Sequence, residues 1–311
     1  MATKQKHQPI HQLTLSQFEE MFPDDDACKA YLVASRWPTG VCCPKCGSLG
    51  VKPHGTMAYH WLCNDCAGDA TNYRFSVTVG TIFENTNKGL RQWFQVIHLM
   101  LVSKKGVSAL QIHRLLGFGS YRTAWSMCHR IRAGMADEDF QQLMGIVEVD
   151  ETYVGGKAKN RHKDKRGGPG GTGSAGGTGG TGKAIVIGAV KRKGNVVARV
   201  IQKASGEALT NFVRAAVSNK VSLLCTDTHR GYAPLGMDYP HGVVNHTAGQ
   251  YVVGAIHTNT IEGFWSLFKR GIMGSYHKVS AKYLPLYVAE FQFRYNNRKN
   301  PEIFQAAIQG C

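Results

Sequence analysis

Apolar positions recur every three to four residues in LSQFEEMF and again in ACKAYLVASRW, a spacing that predicts two short helices within residues 1–40. The same period runs through LRQWFQVIHLMLVSKK from Leu90, then through VSALQIHRLLG and YRTAWSMCHRIRAGM, which are separated by the glycine-bearing turn GFGS. Three helices with a tight glycine turn before the last form a helix-turn-helix pattern over residues 88–140. In the last helix Ala124, Trp125, Cys128 and Ile131 make the inward stripe and leave Arg122, Ser126, His129 and Arg130 outward. Such side chains suit phosphates and base edges in a DNA groove, and equally suit a plain solvated face.

Elsewhere the pattern changes to that of strands. YRFSVTVGTIF alternates, GIVEVDETYVG reads as a strand, and KAIVIGAVKR with NVVARVIQ reads as a hairpin about Lys193 and Gly194. EALTNFVRAAV returns to the helical period, and VSLLCTDTHRGY is a strand ending in an acid. A three-strand antiparallel meander, a helix and a further strand give the order of an RNase-H-like α/β fold with a mixed sheet. In that fold the first and fourth strands are neighbours, so an acid on each converges. The predicted organisation is a helical segment at 1–40, a cysteine-bearing module at 41–87, the helix-turn-helix at 88–140, and the α/β domain at 141–311 with an insertion at 157–183.

The cysteines carry the first chemistry. Of nine, four fall in two C-x-x-C pairs, in VCCPKCGSLG and WLCNDC, with sixteen residues between Cys46 and Cys63. Cys43, Cys46, Cys63 and Cys66 thus supply four soft ligands for tetrahedral Zn²⁺, while Cys42 has the wrong spacing. With every position filled by protein, such a zinc is structural. Metal rather than disulfide use of cysteine, a polar start MATKQKHQPIHQ and no run long enough to span a membrane give the expectation of a soluble, cytoplasmic, nucleoid-associated protein.

The net charge of +16 is uneven. Between Lys157 and Lys193 ten Lys or Arg face one acid, Asp164, and the C-terminal third adds Lys269, Arg270, Lys278, Lys282, Arg294, Arg298 and Lys299. This field attracts polyanions, nucleic acid ahead of anionic membranes. Gly177 to Lys183 has the spacing of a phosphate-binding loop, but Ala184 stands where a hydroxyl is needed and a strand follows instead of a helix. RGGPGGTGSAGGTGGTGK therefore reads as a basic flexible tether.

Three acids have the spacing of a catalytic set: Asp150 on the first strand of the fold, Asp227 at the end of the fourth, and Glu262 early in the helix HTNTIEGFWSLFKRG. Three carboxylates can hold two Mg²⁺ (or Mn²⁺) ions about 3.5–4 Å apart, which suits displacement at a phosphodiester. Each acid also has a plainer role, as a turn former or as a partner of the helix dipole. Glu148 and Glu151 flank the first Asp, and Glu148 shares its strand face and can replace it in the set.

The zinc ribbon with RFSVTVGTIFENT and LRQWF, then EVDETYVGGK, DTHRGY, HTNTIEGFWSLFKRGIMGSYHKVS and FQFRYNNR, resembles the DDE-type transposases of bacterial insertion sequences, whose catalytic domain is retroviral-integrase-like. The resemblance runs from residue 20 to residue 305, and the glycine run departs from it as an insertion. It implies that Asp150, Asp227 and Glu262 are the catalytic triad, that Lys269 contacts DNA near the reacting end, and that His229 and Arg230 lie beside the second acid. Some relatives carry Asn as the third ligand, which makes Asn259, one turn before Glu262, a rival or helper. Arg230, Asn259, Lys269 and Arg270 join Arg122, Ser126, His129 and Arg130 as expected DNA contacts. The implied activity is binding of terminal inverted repeats, Mg²⁺-dependent cleavage and joining of 3′-hydroxyls to target DNA by a homodimer or larger assembly. A nuclease or resolvase of the same fold, and a zinc-ribbon regulator with an inactive catalytic domain, are the rival readings.

Overall fold

A computed structural model of the chain describes residues 14–68, 71–137, 140–155, 183–244, 252, 254 and 256–311. Except for Lys183, the expected tether at 157–183 lies outside the described residues. The chain divides into two compact units, one made of the residues up to Ala136 with Asn297–Cys311, the other of Asp137–Asn296.

In the first unit, helices α1 (Leu15–Met21) and α2 (Asp25–Arg36) start on their own side-chain caps, Thr14 and Asp24. An antiparallel sheet of β1 (Val51–Pro53), β2 (His60–Gly68) and β3 (Thr71–Ser76) follows. The alternating segment predicted as one strand through YRFSVTVGTIF stops at Ser76, and turns take the chain onward. Then come α3 (Leu90–Val102), α4 (Ala109–Leu116) and α5 (Tyr121–Gly134), with Gly117 in the left-handed conformation (φ 62°) that ends α4 and makes the tight turn.

The C-terminal residues depart from the expected domain layout. The last helix, Ile303–Gln309, packs in the first unit. Its Phe304 lies 5.4 to 6.3 Å, ring to ring, from Phe18, Phe22 and Phe94, and Ile82 N–H donates to the Cys311 carbonyl at 2.6 Å. Aromatic burial of this kind is long-range and leaves no local sign in the sequence.

The second unit is built on a five-stranded sheet of order β6-β5-β4-β7-β8, with β4 (Ile146–Val154), β5 (Ala184–Lys191), β6 (Val196–Ile201), β7 (Leu223–Asp227) and β8 (His241–Val244). β4, β5 and β6 pair antiparallel, and Lys193 turns the hairpin at φ 60°. β4 and β7 pair parallel, as the predicted fold requires. β8 adds a further parallel edge that the sequence pattern did not suggest. One face of the sheet packs on α6 (Gly206–Ala216) and the 3₁₀ helix Arg230–Met237 through Val147, Val149, Leu209, Val213 and Tyr232. The other face carries α7 (Asn259–Gly271) and α8 (Leu284–Asn296) through Val154, Val186, Ile261, Phe264, Trp265 and Phe291. The two faces follow from the period-2 alternation along β4, and with them the fates of its acids.

Candidate metal centres and basic face

The four cysteines form one cluster. Sγ of Cys43 lies 3.8 Å from that of Cys66, Sγ of Cys46 lies 3.7 Å from that of Cys63, and all four lie within 4.8 Å of one another. A regular tetrahedron with Zn–S bonds of about 2.3 Å has S···S edges of about 3.8 Å, so the spacing fits zinc. Cys43 sits in a turn closed by Gly47 N–H to the Cys43 carbonyl and Cys43 N–H to the Ser48 carbonyl, with Gly47 at φ 74°. Burial pushes the Cys43 thiol up, but the N–H groups of Cys46 and Lys45 outweigh it and bring it to about 7. The thiol of Cys66 is pushed up to about 12, first by its bond with Cys46 and then by burial. Crowded thiols that resist joint ionisation are the donor set a dication relieves.

The candidate acids lie in the other unit. The parallel register pairs Val147 with Leu224 and Glu148 with Cys225, and the same offset carried two residues on sets Asp150 level with Asp227. Asp150 is half-buried and is pushed up to about 7, chiefly by burial, then by the negative charges of Glu151, Asp227 and Glu262. Four acidic side chains therefore share one region. Glu151 points to the opposite face of the strand, where it accepts a bond from Tyr232 Oη at 2.7 Å; burial raises it, and that bond partly offsets the rise. Asp227 Oδ1 accepts from His229 N–H at 3.0 Å, and Glu262, on the exposed side of α7, accepts from Thr258 Oγ1 at 2.9 Å. Among the described residues, only the cysteines bring three or more ligand atoms within 4.8 Å. The acids are spread more widely, and hard oxygen donors suit Mg²⁺ or Mn²⁺ rather than a soft metal.

Glu148 has a different fate from Asp150, although both lie on one strand face. It is fully buried; its Oε1 accepts from Arg192 Nε at 2.6 Å and Thr260 Oγ1 at 2.9 Å, and its Oε2 from Thr260 N–H at 2.7 Å and Ile261 N–H at 3.1 Å. His257 Nδ1 lies 3.2 Å from Oε1 without hydrogen-bond geometry. A carboxylate offers about four lone-pair sites, and all of them are taken. Gly188, the partner of Asp150 on β5, is a residue sequence reasoning missed. A Cβ there would meet Trp265 Cζ2 at 2.8 Å and Ile261 Cδ1 at 3.2 Å, so the glycine lets α7 lie close on the sheet beside Asp150.

On α7, Asn259, Glu262, Ser266, Lys269 and Arg270 are all exposed, and Arg230 is exposed at the start of the 3₁₀ helix. The outward set on α5 needs one correction. His129 is only 9% exposed, its Nδ1 lies 2.9 Å from the Trp125 carbonyl, and it stacks on the half-buried Trp125 ring at 3.9 Å, with its basicity lowered chiefly by burial. The helical period put it one position too far round the face, where an aromatic stack draws it inward. Arg122 and Ser126 are exposed. Arg130 is half-buried, 5.3 Å above the Trp93 ring, and donates to the Glu84 carbonyl at 2.9 Å. Together with Asn85, Thr86 and Lys88 these three line a cavity of about 460 Å³.

Two family models match the chain, an ISXO2-like transposase domain over residues 142–296 and a transposase zinc-ribbon domain over residues 23–68. A protein of the transposable element ISH50 from Halobacterium salinarum is 30% identical over 268 residues, covering 85% of this chain and 88% of that protein. Among solved structures, a simian T-cell lymphotropic virus intasome in complex with PP2A regulatory subunit B56 gamma aligns at 15% identity with a TM-score of 0.26, over 60% of this chain and 66% of that one. At that score the likeness adds nothing to the fold assignment.

Proposed function

We propose, from the premise that this chain belongs to the ISXO2-like insertion-sequence transposases with an N-terminal zinc ribbon, that it binds the terminal repeats of its element, cleaves the DNA and joins the freed 3′-hydroxyls to a target. The family makes the chain a transposase that acts on DNA; the end-specific binding and the two chemical steps are our reading. The observation that supports it most is the parallel pairing of β4 with β7, the strands that carry Asp150 and Asp227; the Asp150 carboxyl there is pushed up chiefly by burial, then by the charges of Glu151, Asp227 and Glu262. Asp150, Asp227 and Glu262 would hold Mg²⁺ or Mn²⁺. Such ions, when bound, polarise the phosphodiester and make the attacking oxygen a better nucleophile.

The chain's own residues supply position. The parallel register, continued two residues, sets the two aspartates level, and the charge of Glu262 on α7 contributes to the raised Asp150 carboxyl, with Lys269 and Arg270 exposed on the same helix. Those cations and Arg230 would hold the phosphates that flank the scissile bond. Water and then a 3′-hydroxyl serve as nucleophiles, so no covalent protein–DNA bond is needed. Two ends must be held together, which calls for a homodimer or a larger assembly. Arg122 and Ser126 on α5 are the proposed readers of the repeat.

The test is Mg²⁺-dependent nicking and joining of an oligonucleotide that carries the element end. Asp150→Asn, Asp227→Asn and Glu262→Gln should each keep end binding and lose both reactions, with losses far from additive because the residues act as a unit. Substantial activity in either aspartate variant defeats the reading. A dead Asn259→Ala beside a near wild-type Glu262→Gln moves the third ligand to Asn259.

A further inference from the structure

We infer that Glu148 is a positioning residue, whose buried carboxylate fixes the helix bearing Glu262 against the strands bearing Asp150 and Asp227. The inference rests on the proposed catalytic role of those three acids. It starts from how α7 begins. Helices α2, α4, α5 and α6 are capped by their own Asp24, Ser108, Ser120 and Ser205, but Thr258 makes no side-chain cap bond for α7. The first N–H groups of a helix need acceptors, and Glu148 supplies them from the sheet to Thr260 and Ile261. A fully buried anion at a helix N-terminus also opposes the helix dipole favourably.

The same network reaches every element that carries an acid. Arg192, held by Glu148, donates through Nη2 to the His257 carbonyl at 2.9 Å and lies 3.8 Å from Cys225 Sγ. Glu148, Cys225 and Thr260 each stand two residues before Asp150, Asp227 and Glu262 respectively. One guanidinium and one carboxylate thus tie β4, β7 and the start of α7 together, one step below the acids. Stability alone does not call for such a pair, because a buried ion pair is often no better than apolar side chains of similar volume. Direct catalysis is a poor fit as well, since the carboxylate is buried and all of its lone pairs are used. Position is what remains, and a misplacement of about 1 Å at a reacting centre can cost roughly 100-fold in rate.

The experiment compares the full-length wild type with Glu148→Gln, Glu148→Asp and Thr260→Val. Three quantities are read: affinity for the element-end oligonucleotide, single-turnover nicking, and amide hydrogen exchange. In Glu148→Gln the affinity should stay within about threefold of wild type, because the side chain is buried away from solvent, while the saturating rate falls by about 100-fold. Exchange at Thr260 and Ile261 should accelerate by more than about tenfold while β5 and β6 stay protected, since the cap bonds are lost and the sheet is not. Glu148→Asp should recover part of the rate. If Glu148→Gln does not fold, Thr260→Val decides: it removes one of the four bonds and should give a smaller rate loss with faster exchange at Ile261.

Unchanged exchange at Thr260 and Ile261 in folded Glu148→Gln, or at Ile261 in Thr260→Val where the first variant does not fold, overturns the inference, whatever the rate. A nicking rate within threefold of wild type despite faster exchange overturns it too. Full nicking by Asp150→Asn is the separate result that removes the catalytic reading beneath it, because exchange at the α7 cap does not depend on that reading.

Discussion

Asp150→Asn should stabilise the second unit in the absence of added divalent ions while abolishing its chemistry. The wild-type carboxyl stands at about 7 instead of 3.8, through burial and then the charges of Glu151, Asp227 and Glu262. At about 1.4 kcal/mol per pH unit, the distance between those values amounts to about 4 kcal/mol of stability forgone when the group is ionised. The sign follows from proton counting. Well below pH 4 the group is protonated in both folded and unfolded chains, and its ionisation costs nothing. As pH rises from 4 to 7 the unfolded chain ionises first, so wild-type stability falls, and above pH 7 the full loss is in place. Asparagine keeps the shape without the charge. Part of the gain is returned where the amide lacks partners, at about 1–3 kcal/mol for a buried polar group. A net stabilisation of about 1–3 kcal/mol is therefore expected at pH 8, and none at pH 4, where the amide's cost stands almost alone.

Because the chain has two compact units, a single unfolding midpoint mixes them. Urea titration read by hydrogen exchange at β4 and β5 reports on the second unit alone, in buffer with neither added divalent ions nor a chelator. Equal stability of the two proteins at pH 8, or a difference larger at pH 4 than at pH 8, refutes the account of Asp150. So does nicking by the stabilised variant, since the strain and the activity are attributed to the same carboxylate.

Further outcomes follow from other parts of the molecule. Replacing Cys43 and Cys46 with Ser should release about one zinc per chain and unfold the ribbon, because ligand loss removes folding energy; a metal-free variant with native hydrogen exchange in β2 and β3 would contradict this. Gly188→Ala should cost about 1–3 kcal/mol by overpacking against Trp265 and Ile261, with nicking impaired and end binding kept; urea midpoints and nicking rates check both. Replacing Lys88 and Arg122 with Ala should lower the slope of log affinity against log salt by about 2 if each meets a phosphate. Equal loss on the element end and on unrelated DNA would assign Arg122 to the backbone, and selective loss on the end to base reading.

The order and period of the elements were legible because each is a local matter. Fifteen residues of GFGS and YRTAWSMCHRI carry their own turn glycine and apolar stripe, and the two C-x-x-C pairs carry their own ligand spacing. The parallel neighbours β4 and β7 were legible for a different reason: a right-handed crossover through a helix leaves few other places for a fourth strand. What escaped were features decided by distant partners. Phe304 joins the first unit through Phe18, Phe22 and Phe94, His129 turns in onto Trp125, and Gly188 is small because Trp265 lies over it.

The segment Glu148-Val149-Asp150 shows most directly why the site was only half readable. Alternation puts both acids on one face, so the sequence alone leaves either free to serve as a ligand. The fold separates them by their company. Glu148 meets Arg192, 44 positions away, and the Thr260 hydroxyl and first N–H groups of α7, more than one hundred positions away, which together satisfy a carboxylate completely. Asp150 is pushed up first by burial and then by the charges of Glu151, Asp227 and Glu262. Two residues of rise along β4, about 7 Å, therefore separate a carboxylate bonded to the first N–H groups of α7 from the carboxylate proposed as a metal ligand. Exchanging the two, as Glu148→Asp with Asp150→Glu, keeps the charge and the face but changes both reaches, and should cost more in nicking than in fold; a double variant with native nicking would show that the spacing of these carboxylates does not matter.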